Sequence, residues 1–154
     1  MTTEQPHAVV LCVDGSELAT QAAISGLAIL QATNGVVVAT VVEASDPYLV
    51  SGAGMAGGVM SPDEFDELDH TFESEGRQIA EHAAAAIGVA DAEIVVLRGE
   101  PGPALCKLAA DLPARALVTG SRGRSGIKRA VLGSVSDYIV RHAPCPVVIT
   151  RPAG

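Results

Sequence analysis

The sequence predicts an α/β domain with one open, twisted sheet of five parallel strands and helices on both faces. Short apolar runs alternate with helical patterns along the 154-residue chain, and right-handed crossovers join such repeats into a parallel sheet. The composition agrees, because 48% of the residues are hydrophobic and mostly aliphatic, with no Trp, two Tyr and two Phe. An aliphatic core of this kind suits a buried parallel sheet covered by alanine-rich helices. The length fits a single domain with a full core.

The first strand, helix and second strand follow one another directly. The apolar run AVVLCV at 8–13 predicts a buried strand that ends in a turn at Asp14-Gly15. Ser16 then offers an N-cap, and alanines and leucines repeat on one helical face up to a stop at Asn34-Gly35. The β-branched run VVVATVV at 36–42 predicts the second strand.

The stretch from Glu43 to Met60 differs in character from the rest of the chain. It carries glycines at 52, 54, 57 and 58 among Ser, Ala and Met. A structureless stretch of this length is either a functional flap or a partly disordered segment, and the sequence leaves both interpretations open.

The longest helix begins at Ser61, where Ser-Pro-Asp-Glu forms a capping-box pattern with proline at the first helical position. Gly88 is expected to end it. Apolar residues recur at helical spacing within it, and we expect them to form a stripe that faces the core. These residues are Phe65, Leu68, Phe72, Ile79 and Ala83.

Three further strands and two helices complete the pattern. The strands are predicted at 92–97, 116–119 and 147–150. A short helix passes through Leu105 and Leu108, and another runs from Ser134 to about His142, where Ala-Pro-Cys-Pro ends it.

Charge and targeting patterns exclude several classes of protein. With 18 acidic and 10 basic residues and a net charge of −8, general binding to nucleic acid or to a membrane surface is not expected. No apolar run approaches the roughly 20 residues of a membrane span, and the N-terminus lacks a signal-peptide pattern, so cytoplasmic residence is expected. Cys12, Cys106 and Cys145 are far apart and form no CxxC pair, which disfavours a disulfide framework or a zinc site.

A glycine-rich loop follows the fourth predicted strand and leads into the last helix. Gly120 and Gly123 lie three residues apart, and the pair Gly133-Ser134 follows after nine more residues. Glycines allow the backbone to approach a phosphate closely and to adopt positive φ. A serine at a helix N-terminus adds a hydroxyl beside N–H groups that favour an anion. The segment therefore predicts a site for a polyphosphate.

The charges of this segment support the same prediction. No Asp or Glu occurs from Leu112 to Ser136, although the chain as a whole is acidic. An acidic protein that concentrates cations around one glycine loop is expected to bind an anion there. The window holds half of the 10 basic residues, namely Arg115, Arg122, Arg124, Lys128 and Arg129.

Asp14 has two possible roles. If the first and fourth strands are neighbours, Asp14 and the glycine loop face the same crevice at the carboxyl ends of the strands. Its carboxylate could then accept a hydrogen bond from an adenine amine or a ribose hydroxyl. Alternatively, Asp14 only forms an Asx-turn or caps the first helix.

The motifs together resemble the universal stress protein family, in particular its ATP-binding branch. The matching segments are VVLCVDGSE, VVVATVVE and LRGEPGPAL, together with the family's nucleotide signature G-x2-G-x9-G-S/T at Gly120, Gly123, Gly133 and Ser134. The similarity extends from about Pro6 to Arg151. It implies a domain over 6–151, with short flexible termini at 1–5 and 152–154.

The resemblance implies a specific fold and ligand. The fold would be that of the adenine nucleotide α-hydrolase group, with strand order 3-2-1-4-5, and ATP would lie across the ends of the first and fourth strands. A Mg²⁺ or Mn²⁺ ion would bridge the phosphates without protein ligands, and a homodimer would form through the last strand, Val147–Thr150. The implied nucleotide-binding residues are Val13, Asp14, Val41, Gly120, Ser121, Arg122, Gly123, Gly133, Ser134, Val135 and Ser136.

Within that implied site, residues have distinct roles. Val13 and Asp14 would contact the adenosine, and Val41 would line the base or ribose pocket. The glycine loop would wrap the ribose and phosphates, and Ser134 to Ser136 would present backbone and hydroxyl donors to the phosphates. This chain departs from the family at Cys12, where members often have proline or glycine. The wall of the implied site on the side of the base is therefore expected to differ from theirs.

We expect a binding module and not an enzyme. The chain has no HExxH, GxSxG or Walker motif, its four histidines are dispersed, and no acid lies between Asp111 and Asp137 to orient a water. Two alternatives remain at this point. One is a slow ATPase of the adenine nucleotide α-hydrolase group, and the other is a dimeric interaction protein that binds no nucleotide.

Overall fold

In the computed structural model, residues 8–32, 35–44, 60–123 and 132–151 are described. The predictions for most of the Glu43–Met60 segment, for the termini at 1–5 and 152–154, and for three cations of the glycine loop (Arg124, Lys128 and Arg129) lie outside these residues. The strands are β1 (Val9–Cys12), β2 (Val36–Val42), β3 (Glu93–Arg98), β4 (Ala116–Gly120) and β5 (Val147–Thr150). The helices of the described part are α1 (Glu17–Leu30), α2 (Pro62–Ile87), α3 (Pro101–Asp111) and α4 (Ser134–His142).

The five strands form one parallel sheet in the order β3-β2-β1-β4-β5. The central strand, β1, pairs with two strands, so that Val9 lies opposite Val36 of β2 and Ala116 of β4. The predicted fold class and strand order are therefore confirmed. The strand order reverses between β1 and β4, and this is the position at which open α/β sheets bind ligands, beyond the carboxyl ends of the strands.

The helices cover the sheet in two layers. Successive side chains of β1 point to opposite faces, as strand geometry requires. On one face, Val9 and Leu11 pack with Ala23 of α1 and Ala80 of α2. On the other, Val10 and Cys12 belong to a cluster with α3 and α4, through Leu105, Ala109 and Ile139.

The helix boundaries follow local capping, with one correction. Ser16 accepts a hydrogen bond from Ala19 N as the N-cap of α1, and Ser61 forms a complete capping box with Glu64 at the start of α2. α2 ends at Gly88 with φ 88°, as expected. α1 ends at Gln31 with φ 50°, before the predicted stop at Asn34-Gly35. Backbone bonds satisfy this helix end without glycine, since the Gln31 N–H donates to the Ala28 carbonyl.

α2 is much longer than the sheet on which it packs. Its 26 residues span about 39 Å at 1.5 Å per residue, whereas the seven residues of β2 span about 23 Å. Ala80, Ala83 and Ala84 are buried in the carboxyl-terminal half. Gly76 lies against Val42 near the end of β2, where a built Cβ would come within 2.6 Å of Val42 Cγ1. Since α2 runs antiparallel to the strands, the residues before Gly76 extend past the carboxyl edge of the sheet.

This overhang corrects the expected core stripe. Ala83 is buried as predicted, but Phe65, Leu68, Phe72 and Ile79 are only partly buried. The sheet ends below Phe65, Leu68 and Phe72, which precede Gly76, so the first half of the helix has no strand to cover it. Ile79 follows Gly76, and the overhang does not explain its partial exposure. Within the described residues, no helix is long and apolar enough to cross a membrane.

Candidate functional site

A cavity of about 580 Å³ opens at the carboxyl edge of the sheet. Its walls come from β1, β2, β4, the glycine loop and all four helices. Nine of the eleven residues implied by the family resemblance line it. These are Asp14, Val41, Gly120, Arg122, Gly123, Gly133, Ser134, Val135 and Ser136.

The start of α4 supplies unpaired backbone donors to one end of this cavity. Gly133 is the N-cap, and the first helical hydrogen bond runs from Asp137 N to Gly133 O at 2.9 Å. The amides of the three residues between them, 134–136, therefore have no acceptor within the helix. All three residues line the cavity. Three N–H groups at a positive helix end form a favourable place for an anion.

Backbone hydrogen bonds hold the glycine loop against α4 and β5. The Ser121 carbonyl accepts from Gly133 N at 2.8 Å, and Ser121 N donates to the Thr150 carbonyl at 3.0 Å. Ser121 is buried and does not line the cavity. Its role in this structure is thus to join the loop to its neighbours, which differs from the ligand contact implied by the resemblance.

Ser136 also differs from its predicted role as a hydroxyl donor to phosphates. Its side chain is 2% exposed. The hydroxyl donates to the carbonyl oxygens of Gly133, at 3.0 Å, and of Ser121, at 3.3 Å. The hydroxyl is consequently used within the protein, and the backbone N–H is the group that Ser136 offers to the cavity.

The described glycines of the signature do not adopt positive φ, and of these only Gly120 approaches another group tightly, with a built Cβ 3.3 Å from the Arg122 carbonyl oxygen. Among the described residues, the glycines with positive φ are Gly15, Gly35, Gly88 and Gly99, and Gly133 has φ −62°. A Cβ built on Gly133 would lie 3.6 Å from the Ser121 carbonyl oxygen, and one on Gly123 would lie 3.4 Å from Asp14 Oδ2. The two backbone segments thus come together directly beside the Asp14 carboxylate.

Asp14 forms the predicted Asx-turn and also lines the cavity. Its Oδ1 accepts hydrogen bonds from the backbone N–H of Ser16, at 2.9 Å, and from the Ser16 hydroxyl, which is the expected Asx-turn. Its Oδ2 faces the Gly123 side of the cavity. The turn therefore fixes the carboxylate in the cavity wall.

Val13 lies outside the cavity. Its side chain is 5% exposed and packs in the core on the α1 and α2 face. Its N–H donates to the Ala39 carbonyl at 2.9 Å. The Val13 side chain therefore does not line the cavity, and the contact of this residue with adenosine stays a prediction.

The two described cations of the predicted basic cluster lie at opposite edges of the sheet. Arg122 lines the cavity. Arg115, in contrast, immediately precedes β4, and its N–H donates to the Ala8 carbonyl at 2.7 Å, next to the start of β1. Its guanidinium donates to the Leu30 carbonyl at 3.3 Å. Arg115 therefore lies at the amino edge of the sheet, opposite the glycine loop, because it stands before the strand and the glycines stand after it.

The structure adds lining residues that the sequence did not indicate. α2 contributes Phe72, Glu75 and Ile79, which were assigned to the core or not assigned. The signal that could have found them is the length of α2 compared with the strands, because the surplus turns must extend over the carboxyl edge. The other additional lining residues are Cys12, Ala19, Thr40, Val42, Glu43, Pro101, Leu105 and Thr119.

Cys12 borders the cavity but is chemically protected. Cys12 is 8% exposed. Burial, with smaller contributions from the nearby Cys106 and Cys145, raises the pKa of the Cys12 thiol to about 12. The thiol is therefore neutral at physiological pH and contributes a small apolar surface to the wall. In the described residues, no group of three His, Cys, Asp or Glu side chains is arranged to hold a metal ion.

Comparison with known proteins agrees with this fold. The model of the universal stress protein family matches residues 6–151. The chain belongs to this family. A curated relative, the universal stress protein YxiE of Bacillus subtilis, is 30% identical over 147 residues, covering 93% of this chain and 97% of the relative.

Solved structures of universal stress proteins share the fold. UspA from Lactobacillus plantarum has a TM-score of 0.70 at 19% identity, covering 96% of this chain and 100% of its own. A universal stress protein in complex with cAMP has a TM-score of 0.59 at 25% identity, covering 96% and 98% of the two chains. More distant structures of the family contain AMP, in a protein from Arabidopsis thaliana, and dAMP, in one from Archaeoglobus fulgidus.

Proposed function

We propose that this universal stress protein binds ATP in the cavity at the carboxyl edge of the sheet and acts as a regulatory nucleotide-binding module in the stress response. A Mg²⁺ or Mn²⁺ ion would be held mainly through the nucleotide and would neutralise part of the phosphate charge. The ligand state then alters a partner or the protein's own dimer.

The observation that carries this proposal is the set of three free amides at residues 134–136, at the end of the cavity beside the glycine loop. An anion at this position receives several N–H donors and the positive end of the α4 dipole. Arg122 adds a cation to the same wall. The cavity volume of about 580 Å³ falls within the range of pockets that hold a cofactor-sized ligand.

The ligands of relatives support an adenine nucleotide in particular. The structures of family members described above contain cAMP, AMP or dAMP. These three ligands share adenine and at least one phosphate. The extension to a triphosphate rests on the donors of α4 and on the complete glycine signature of this chain.

We propose binding in preference to hydrolysis as the main role. The lining residues around the start of α4 are glycine, serine, valine and arginine, and the carboxylates that line the cavity come from Asp14, Glu43 and Glu75. Asp14 is engaged by Ser16, Glu43 follows the end of β2, and Glu75 lies on α2. A hydrolase needs a group positioned to orient the attacking water at the γ-phosphate.

The test is calorimetric titration of the full chain with ATP, in the presence and absence of Mg²⁺, together with a phosphate-release assay. Micromolar binding with release at background level is expected. Release well above background would favour the slow ATPase. A failure of ATP, AMP and cAMP to bind would overturn the proposal and favour an interaction protein without nucleotide.

We further propose that the protein is a homodimer that pairs through β5. The strand Val147–Thr150 is an edge of the sheet, and three of its four residues are partly exposed apolar side chains. An unprotected apolar edge strand presents unpaired backbone groups that favour pairing with another strand. A second copy of the same edge satisfies them symmetrically.

A further inference from the structure

The two helix N-termini at the cavity differ in their capacity to bind an anion. α4 offers three amides, as described above. α3 begins with Pro101-Gly102-Pro103, so two of its first three residues have no N–H. The remaining residue, Gly102, is buried beneath the ring of Tyr138. Phosphates are therefore expected at the α4 end, which directs the rest of a nucleotide toward the opposite walls.

The opposite walls form a surface suited to a nucleobase. We call it the base wall, and it consists of Phe72 and Ile79 on α2, which packs on the face of the sheet opposite α3 and α4. A flat purine buries its faces against apolar and aromatic side chains. Glu75 lies between Phe72 and Ile79 on the same helix and also lines the cavity, and its negative charge opposes a phosphate there. Ligand orientation is thus set from both ends of the cavity.

Phe72 lies on the overhanging half of α2, which the sheet does not support. Something else must fix its position if it is to form a stable wall. Arg98, the last residue of β3, reaches this part of the helix from the sheet. Its guanidinium donates to the Asp69 carboxylate, to the Asp69 backbone carbonyl at 3.1 Å, and to the Glu73 carboxylate at 3.0 Å.

These three bonds act as a clamp on one turn of α2. Phe72 lies within the turn that Arg98 holds, between Asp69 and Glu73. The Arg98 side chain is 30% exposed, and the two carboxylates are 38% and 40% exposed, so each single pair is screened by solvent. A planar guanidinium that engages three acceptors at once fixes geometry better than a single ion pair.

We propose that Arg98 is a positioning residue that holds the overhang of α2 as the base wall, so that Phe72 contacts the nucleobase of the bound nucleotide. This inference rests on the proposed nucleotide function and assigns residues that determine affinity and orientation within the same site. Arg98 itself acts through α2 and does not touch the ligand.

The clamp is tested first without ligand, by hydrogen exchange of the α2 amides at 65–75 in the full-length protein. In Arg98→Met these amides are expected to exchange about fivefold faster than in the wild type. Arg77→Met is the matched control, because Arg77 also pairs with Glu73, at 4.0 Å, but from within the same helix. It should leave exchange unchanged, and Arg98→Lys should restore part of the protection. Wild-type exchange in Arg98→Met overturns the clamp.

The base wall is tested by fluorescence, because the chain contains no Trp. In Phe72→Trp, emission is expected to change on titration with ATP and with adenosine, but not with inorganic tripolyphosphate. Phe65 lies on the same helix but does not line the cavity. The emission of Phe65→Trp should therefore respond to none of these three ligands. Phe72→Ala should weaken both ATP and adenosine binding by about tenfold.

The outcomes separate this inference from the proposed function. ATP binding in calorimetry with an unresponsive Phe72→Trp variant overturns the base wall while the nucleotide function stands. If the wild type binds no nucleotide, both the nucleobase contact and the proposed function are wrong. The clamp is judged by hydrogen exchange in either case.

Discussion

At Gly123 the absence of a side chain leaves space in the cavity beside a carboxylate. A Cβ at this position would meet Asp14 Oδ2 at 3.4 Å, an ordinary contact. We therefore expect Gly123→Val to fold with a loss of less than about 1 kcal/mol in the free energy of unfolding. The branched side chain would occupy ligand space, so ATP affinity should fall by more than about 100-fold.

Calorimetry of ATP binding, combined with thermal unfolding, checks this expectation. Gly123→Ala serves as the graded control, since one methyl group fills less of the cavity and should weaken ATP binding less. A well-folded Gly123→Val protein with wild-type ATP affinity would show that the ligand does not lie beside this loop.

The Cys12 thiol makes the stability of the protein depend on pH in the alkaline range. Its pKa is raised to about 12 in the folded protein, mainly by burial, from an ordinary value of 9.0. Below pH 9 the thiol is protonated in both states and its contribution is fully present. Above pH 9 the unfolded chain ionises first, so stability is lost up to about pH 12, at about 1.4 kcal/mol per pH unit.

Urea unfolding of the wild type and of Cys12→Ala at pH 8, 9.5 and 10.5 isolates this contribution. The stability difference between the two proteins should shrink as the pH rises. Alkylation at pH 8.5 should also modify the partly exposed Cys106 and Cys145 before Cys12. A pH-independent difference would contradict the protected thiol.

At the scale of elements, the packing of α1 on β4 depends on Gly26. A Cβ there would come within 2.3 Å of Val118 Cγ1, and both residues are buried. Gly26→Ala is thus expected to destabilise the fold by about 1 to 3 kcal/mol through overpacking, although alanine is the better helix former by about 1 kcal/mol. Chemical unfolding measures the change.

Ser25→Ala provides the matched control, because Ser25 is the exposed neighbour of Gly26 on the same helix. This substitution should be neutral or slightly stabilising, as helix propensity alone requires. Equal stabilisation of both variants would mean that the helix shifts away from β4 at no cost, and that the close contact is not needed.

At the scale of the whole molecule, the proposed dimer depends on outward-facing backbone groups of β5. The Leu117 N–H of β4 donates to the Pro146 carbonyl. The Ser121 N–H, directly after β4, donates to the Thr150 carbonyl. By the alternation of a parallel ladder, the N–H groups of Val147 and Ile149 face the open side. Ile149→Pro should therefore abolish the dimer without removing a bond to β4.

Light scattering over a range of protein concentrations tests this expectation. The wild type should have the mass of two chains, 15.6 kDa each, and Ile149→Pro should have the mass of one. Ile149→Thr keeps the N–H and should remain dimeric. A wild-type mass of one chain at high concentration would remove the basis for the dimer.

Much of the architecture could be predicted because its signals are local. The β-branched run of β2 and the capping box at Ser61 determine their elements within a few residues, and both were predicted at their observed starts. Ser136 was different, because its hydroxyl bonds to Ser121 across the glycine loop. No local sequence pattern predicts whether this hydroxyl donates to a carbonyl of the protein or to a ligand phosphate.

The sequence by itself determined the α/β class, the family and the glycine signature, since each depends on periodicity or on fixed spacing along the chain. Only the tertiary structure decided which side chains share a cavity. It placed the Val13 side chain in the core and Arg115 at the amino edge of the sheet, and it placed Phe72 and Glu75 in the cavity lining. The physical reason is that the position of a side chain relative to the sheet edge depends on how far each helix and strand extends. How far each element extends past the sheet edge follows from the packing of whole elements against one another. α2 extends beyond the strands on which it packs because it has more residues than they can cover.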